Sequence, residues 1–487
     1  MDRRALIVPA LIAFIVVVPR LAGLYTTHLF DDAFITFRYS ENLARGRGLV
    51  YNLDERTLGT TAPLFALLLA GMRRFGLPVP IASVVVGLPS DVASGLLIYR
   101  LVRRELGVFP AALAVSVFAV DPHLIRVGVG GMESSLFLAL SLLLIDLLRR
   151  HRAVAAFPLA SASLYVRPEG VLLWLASLVL LARGRERARS RALSLALGAV
   201  ITLLPLLLMQ LYYGSPAPQS VLSKGHKVGG SLWDVVTVFF FPPGSPLQTL
   251  LTVLAVPGVV VAWGWSRFGR VLAVWLGIYV LAYLAARPHM WTWYAMPVYC
   301  GKAVFAGVAL AHLLRRALPE APRLESRALG AAAALAVVVA TGMALLAGAS
   351  PVRRRVYQPL QAWCGTNLRG GETIAAGDVG ALGYYCDAFI YDLAGLVWAE
   401  RWQFADHLQV VETKKPDYIF AETASYWSGL FDPGSPLRRL YRPLQRFSPS
   451  GRTEVEVPSA ELTPGWQLDY VLFERIDRAR AAAVTAH

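Results

Sequence analysis

Apolar stretches of about 15–22 residues recur along most of this chain, each closed by arginines or by a Pro/Gly break. A bilayer core is about 30 Å thick and takes roughly 20 helical residues to cross, so runs of this length demand lipid as a solvent. Of the 487 residues, 56% are hydrophobic and 16% charged, with a mean hydropathy of +0.52. That balance excludes a soluble globular protein and a disordered one. The chain is read as a polytopic all-α membrane domain over 1–349, with juxtamembrane helices, followed by an external α/β domain over 350–487.

The formal charge is +15, from 47 Lys and Arg against 32 Asp and Glu. The arginines cluster between apolar runs: Arg100, Arg103 and Arg104; Arg149, Arg150 and Arg152; Arg183 to Arg191; Arg315 and Arg316. This is the positive-inside signature of cytoplasmic loops, and it argues against a nucleic-acid partner. With the N-terminus and every cluster in the cytoplasm, spans fall at about 5–24, 81–101, 108–126, 133–149, 153–166, 169–183, 192–212, 248–266, 270–286, 295–314 and 327–347. These make about eleven crossings, an odd number, which puts 350–487 outside. No small-residue cleavage site precedes Tyr25, so the first run reads as an uncleaved helix. Residues 25–80 form a long first external loop whose apolar part, TAPLFALLLAGM, is too short to span and ends at Arg73-Arg74. The spans meeting at Val166-Arg167-Pro168-Glu169-Gly170 are short; that break is either a broken helix facing protein or water, or a hairpin loop at the surface.

After Ser350 the pattern changes. TIAAGD, GALGYYCD, AFIYDL and KKPDYIFAE read as strand, helix, strand and strand, and RTEVEVP with QLDYVLFERI adds two alternating antiparallel strands. Of the three cysteines, Cys300 lies in an apolar span and Cys364 and Cys386 in the external domain. In an oxidising compartment these two can close a loop of about 20 residues, contributing about 3 kcal/mol; two buried thiols are the alternative.

The first external loop reads HLFDDAFITFRYSENLARGRGLVYN. Apolar spacing and Gly46 predict an interfacial helix over about 33–45, its aromatic side in the lipid headgroups and Asp31 and Asp32 at its N-terminal end. Helix capping accounts for Asp32 but not for Asp31. A carboxylate beside apolar surface is partly desolvated, which raises its pKa and makes it a better proton acceptor.

That stretch, with VGGMESSLF at 129–137, YVRPEG at 165–170, YYGSPAPQSVLSKGHK at 212–227 and GDVGALGYY…DLAGL in the external domain, resembles bacterial members of the GT-C superfamily of polytopic glycosyltransferases. The mycobacterial terminal arabinofuranosyltransferase group looks nearest, with protein O-mannosyltransferases and lipid A aminoarabinose transferases further away. The resemblance implies an inverting enzyme of the bacterial plasma membrane. It would take a sugar from a polyprenyl-phosphate lipid and pass it to a glycan, lipid or protein acceptor on the outer face. It further implies Asp31 as the general base, with Asp32 as an orienting or helix-capping partner. Arg38 and Tyr39, in the same motif, become substrate-binding candidates.

The chemistry is consistent: inverting transfer needs one carboxylate to take the acceptor's proton, while the phosphate leaves already ionised. A lipid phosphate needs positive charge around it, and external basic residues are few. Lys224, His226 and Lys227 lie in the loop after Tyr212-Tyr213, and Arg287 and His289 open the next. By resemblance Lys224 is the best phosphate contact, although solvation of a surface loop explains any one of these. Trp291, Trp293 and Tyr294 suit a sugar platform or an interfacial belt equally. Glu133 opens a span at the outer face, costly there unless it serves a site; by resemblance it contacts the sugar or supports the base. Arg167 and Glu169 can pair across the break. Asp31, Asp32, Glu133 and a phosphate could hold Mg²⁺ or Ca²⁺, and no cluster has zinc spacing. The rivals are a transporter or scramblase of lipid-linked sugars and a non-catalytic glycan-binding membrane receptor. The first would predict inverted repeats, and no repeat of fixed period appears, while the candidate acids gather at the expected outer membrane face.

Overall fold

The computed structural model describes residues 3–184, 187–226, 230–317, 327–423, 427–457 and 468–478. Seven helices are long and apolar enough to cross a membrane: α1 (Arg3–Thr26), α4 (Val79–Leu106), α10 (Ala188–Tyr213), α13 (Pro246–Trp265), α14 (Arg267–Ala286), α15 (Met296–Ala317) and α16 (Ala328–Ala347). An eighth is the pair α5 (Val108–Val120) and α6 (Pro122–Gly128), bent by 63°. The three remaining expected spans are shorter: α7 (Ser134–Arg149), α8 (Ala153–Ser163) and α9 (Gly170–Arg183), of 16, 11 and 14 residues. At 1.5 Å per residue none of them covers a 30 Å core alone, because the Arg149–Arg152 cluster and the Arg167–Glu169 break interrupt the apolar run.

α15 is the hub of the bundle. Its small residues let neighbours approach closely: a methyl group at Gly307 would meet the Ala114 backbone of α5 at 2.5 Å, the close packing that substitutes for a hydrophobic drive between helices in lipid. α10 and α16, by contrast, leave most of their length exposed, as lipid-facing helices do. The bend before Pro122 is served from α1. Arg20 donates to the carbonyls of Ala119 (2.6 Å) and Phe118 (3.3 Å) and pairs with Asp91 of α4 at 3.0 Å, both side chains fully buried. In a continuous helix the Phe118 carbonyl would look to Pro122, which has no N–H, and the Ala119 carbonyl to His123, whose N–H goes to Asp121 instead.

Between α1 and α4, α2 spans Asp31–Ala44, two residues earlier than expected. Asp31 and Asp32 therefore lie in its first turn rather than capping it; Phe30 holds the cap position without a side-chain bond. The aromatic side of α2 does not face headgroups. Phe34 and Phe37 are fully buried, with Phe34 packed against Tyr357, Tyr384 and Tyr385. The apolar piece too short to span is α3 (Pro63–Arg74). It presents Leu64, Leu67 and Leu68 outward.

Beyond Ser350, α17 (Gln358–Asn367) leads into a five-stranded sheet of order β2-β1-β3-β5-β4. Strands β1 (Thr373–Ala376), β2 (Phe389–Asp392) and β3 (Tyr418–Glu422) are parallel, while β5 (Tyr470–Arg475) and β4 (Tyr441–Phe447) run antiparallel. The short helix α18 (Gly380–Tyr385) joins β1 to β2. RTEVEVP is not a strand; its expected place is taken by YRPLQRF, an edge strand whose Pro443 coincides with a register shift, since proline cannot donate to a ladder. Cys364 and Cys386 form a disulfide from α17 to the end of α18.

Candidate functional site

The N-terminal turn of α2 meets the N-terminal turn of α18. Asp31 accepts the amide N–H of Gly380 on Oδ2 and that of Ala381 on Oδ1, each at 2.8 Å. These are donors the first turn of a helix cannot spend internally, so the carboxylate fork completes the external domain's helix. Position 380 must be glycine, because a Cβ there would collide with the Asp31 carbonyl. Burial pushes the Asp31 carboxyl above its ordinary range, and the two amides pull it partly back. Both Asp31 and Asp32 keep part of their surface open.

Above the pair, at the C-terminal ends of β1 and β3, stand Asp378 and Glu422, both buried. Asp378 accepts the Tyr470 hydroxyl at 2.6 Å. Burial first, then the charges of Glu422, Asp31 and Asp32, hold the Asp378 carboxyl well above its ordinary range. His28, beside Tyr357, goes the other way: burial, Arg126 and Arg353 hold it down at about 4, so it is neutral at pH 7.

A second polar group lies below. The 129–133 loop packs on α2, with Phe30 donating its amide to Gly130 at 2.9 Å. It places Glu133 within electrostatic reach of Asp32. Arg167, from the break between α8 and α9, pairs with Glu133 at 2.7 Å and with Glu169 at 3.0 Å. Tyr283 donates to Glu169 at 2.5 Å, and Tyr279 donates to the Tyr294 carbonyl at 2.9 Å. The Arg167 guanidinium lies 5.7 Å from the Tyr294 ring centre. Arg167 and Glu169 pair as expected across the break, and Glu133 joins as a third member. Trp291 and Trp293 stack at 5.2 Å, with Trp293 against Phe30.

Asp31, Asp32, Glu133, Arg167 and Glu169 are thus brought to one junction. Arg38 and Tyr39 are near in sequence but spent otherwise. Arg38, buried, donates to the carbonyls of Tyr51, Gly383 and Ala388 at 2.6–2.7 Å. Tyr39 donates to the Thr57 carbonyl and accepts from the Gly59 amide. Arg287 and His289 are exposed on the loop between α14 and α15, where the Arg287 carbonyl accepts from Gly230 and the His289 ring lies against Trp291. Helix α11 (Gln219–His226) is anchored by the Gln219 amide on the Leu58 carbonyl. The side chains of Lys224 and His226, and Lys227 altogether, lie outside the described residues.

The sequence pattern did not single out Asp378, nor Tyr283, Tyr470 and Arg126, whose guanidinium lies 5.4 Å from the Phe30 ring centre. For Asp378 there was a signal: GDVG between a strand and a helix marks amides and an acid at a strand's C-terminal end, where open α/β sheets present their crevice. The tyrosines carried none. A divalent cation fits poorly: each Asp31 oxygen already takes an amide and Glu133 Oε1 is taken by Arg167. Among the described residues no three His, Cys, Asp or Glu side chains converge as metal ligands.

The architecture is a bundle of long apolar helices with a small C-terminal sheet domain. Two solved structures share it nearly end to end. ArnT from Cupriavidus metallidurans bound to undecaprenyl phosphate is 12% identical, with a TM-score of 0.61 over 97% of this chain and 98% of that one. The same protein in the apo state is 13% identical, with a TM-score of 0.60 over 95% and 97%. Residues 350–467 match a family described as a domain of unknown function, DUF8728. No curated protein matches the chain.

Proposed function

We propose that this chain is an inverting glycosyltransferase that moves a sugar from a polyprenyl-phosphate donor to an acceptor hydroxyl on the outer face of the bacterial plasma membrane. The observation that carries the reading is a partly open carboxylate pair in the first external loop of a fold shared with an undecaprenyl-phosphate-bound ArnT. In the reaction, Asp31 takes the acceptor's O–H proton, the acceptor oxygen bonds to the anomeric carbon, and the bond from that carbon to the phosphate oxygen breaks. The phosphate departs with the electron pair and needs no acid. The Gly380 and Ala381 amides aim the Asp31 carboxylate, while burial keeps it basic enough to accept a proton. Asp32 orients the acceptor. Glu133, fixed by Arg167 and Glu169, is the sugar-side acid, and Lys224 and Arg287 are the candidate phosphate contacts. The sugar moved is a hexose or a pentose, and the acceptor a glycan, lipid or protein.

The test is Asp31→Asn in membranes supplied with radiolabelled polyprenyl-phosphate sugars. Transfer is expected to drop about 10²–10⁴-fold, the usual contribution of a positioned base, while expression and lipid binding persist. Undiminished transfer would remove Asp31 from the chemistry.

A further inference from the structure

On the far side of α2 from Asp31, a recess of about 310 Å³ opens between the juxtamembrane helices and the external domain, lined by Glu41, Arg45, Arg73, Gln361, Tyr384 and Tyr385. Glu41 lies ten residues after Asp31, about 15 Å along the helix, so the recess is separate from the carboxylate pair. Glu41 is 13% exposed and receives the Nε–H of Arg45 at 2.8 Å and of Arg73 at 2.9 Å. Both guanidinium planes are thereby fixed, yet among the described residues neither Arg45 nor Arg73 spends an Nη group. One carboxylate and two guanidinium groups leave a net positive charge with fork donors to spare, the arrangement suited to an oxyanion.

The rest of the lining is not phosphate chemistry. Tyr384 and Tyr385 stand edge to face, 5.3 Å apart, and their hydroxyls bond to no other described residue, while Gln361 is exposed. Aromatic faces beside unspent hydroxyl and amide groups suit a polyol. The volume, near the low end of small-molecule sites, admits a group the size of one phosphorylated sugar or glycerol. On α3, which carries Arg73, Leu67 is 48% exposed and the following Phe75 93% exposed, the pattern of an interfacial helix whose basic end sits at headgroup level.

We propose that this recess binds a phosphate-bearing polyol at the membrane surface, the phosphate on Arg45 and Arg73 and the polyol on Tyr384, Tyr385 and Gln361. The inference does not depend on the transferase reading, because binding is measured without turnover. The full chain in phosphatidylcholine nanodiscs would be titrated calorimetrically with glycerol 1-phosphate, glycerol and inorganic phosphate. Saturable binding of glycerol 1-phosphate is expected, at least about tenfold tighter than either fragment and weakened about tenfold in Arg45→Ala and in Arg73→Lys, which keeps the charge but loses the fork. Melting temperatures of the variants confirm folding, and Arg45→Ala leaves the Arg73–Glu41 pair in place. Repeating the titration in nanodiscs containing phosphatidylglycerol separates the sources: lost binding identifies the lipid headgroup as occupant, and persistent binding a soluble or glycan-borne phosphate, either of which supports the site. No saturable binding, equal affinity for inorganic phosphate, or unchanged affinity in both variants would overturn it.

Discussion

Asp31 bonds to the external domain's backbone and still keeps an open edge. An asparagine there retains one acceptor but turns an NH₂ toward an amide donor, so Asp31→Asn is expected to cost about 1–3 kcal/mol of docking as well as activity. A moderate drop in melting temperature accompanying the loss of transfer distinguishes this geometry from a solvent-facing acid. Asp378 gives a separable effect. Its folded pKa lies above its unfolded one, so the folded state holds more protons between the ordinary range near 4 and that raised value. Stability from this group is complete at low pH and is lost as pH rises through the window. Asp378→Asn can still accept from Tyr470 and carries no charge toward Glu422, Asp31 or Asp32. It is expected to raise the melting temperature by a few degrees at pH 8 and by less at pH 5; an equal shift at both would refute the buried-acid account.

At the scale of elements, α2 is a bridge. Its N-terminal turn caps α18, Arg38 in its middle reaches one carbonyl within α18 and one beyond it, and Glu41 ties it to α3. Losing the buried Arg38 takes a donor from the Gly383 and Ala388 carbonyls, while Tyr51 keeps the Asn42 amide, so Arg38→Ala is expected to destabilise docking by about 3 kcal/mol and to expose the 377–388 segment to protease. Gly380→Ala leaves every side-chain bond nominally available but forces α18 away from the Asp31 carbonyl. It should therefore reduce transfer while leaving the membrane helices intact, as measured by detergent-resistant helical circular dichroism beside the transfer assay.

For the whole molecule, the external domain and the bundle share a core rather than a linker. Phe34, Phe37 and Leu69 from the membrane half cluster with Tyr357, Leu382 and Tyr470 from the other. Deleting 350–487 would uncover that apolar face and free Asp31 from both its amides. The truncated chain is expected to insert but aggregate on detergent extraction, and supplying the domain in trans is expected not to restore transfer. Transfer by the truncated chain would show that the external domain has no part in orienting the base.

Much of this was legible in advance. Lipid solvation dictates long apolar runs, so every expected span coincides with a helix, and the short apolar runs TIAA and YIFA between turn residues make strands that are buried on both faces. Local chemistry likewise brings DD to a helix start and Arg167 to Glu169 two residues on. What pattern could not decide is what covers an amphipathic face: the aromatic side of α2 suits headgroups and a protein domain equally, and only the fold put Tyr384 and Tyr385 there. The same holds for partners far apart in sequence, Asp31 with Gly380 or Arg38 with Ala388, because a hydrogen bond depends on distance in space, and periodicity records only distance along the chain.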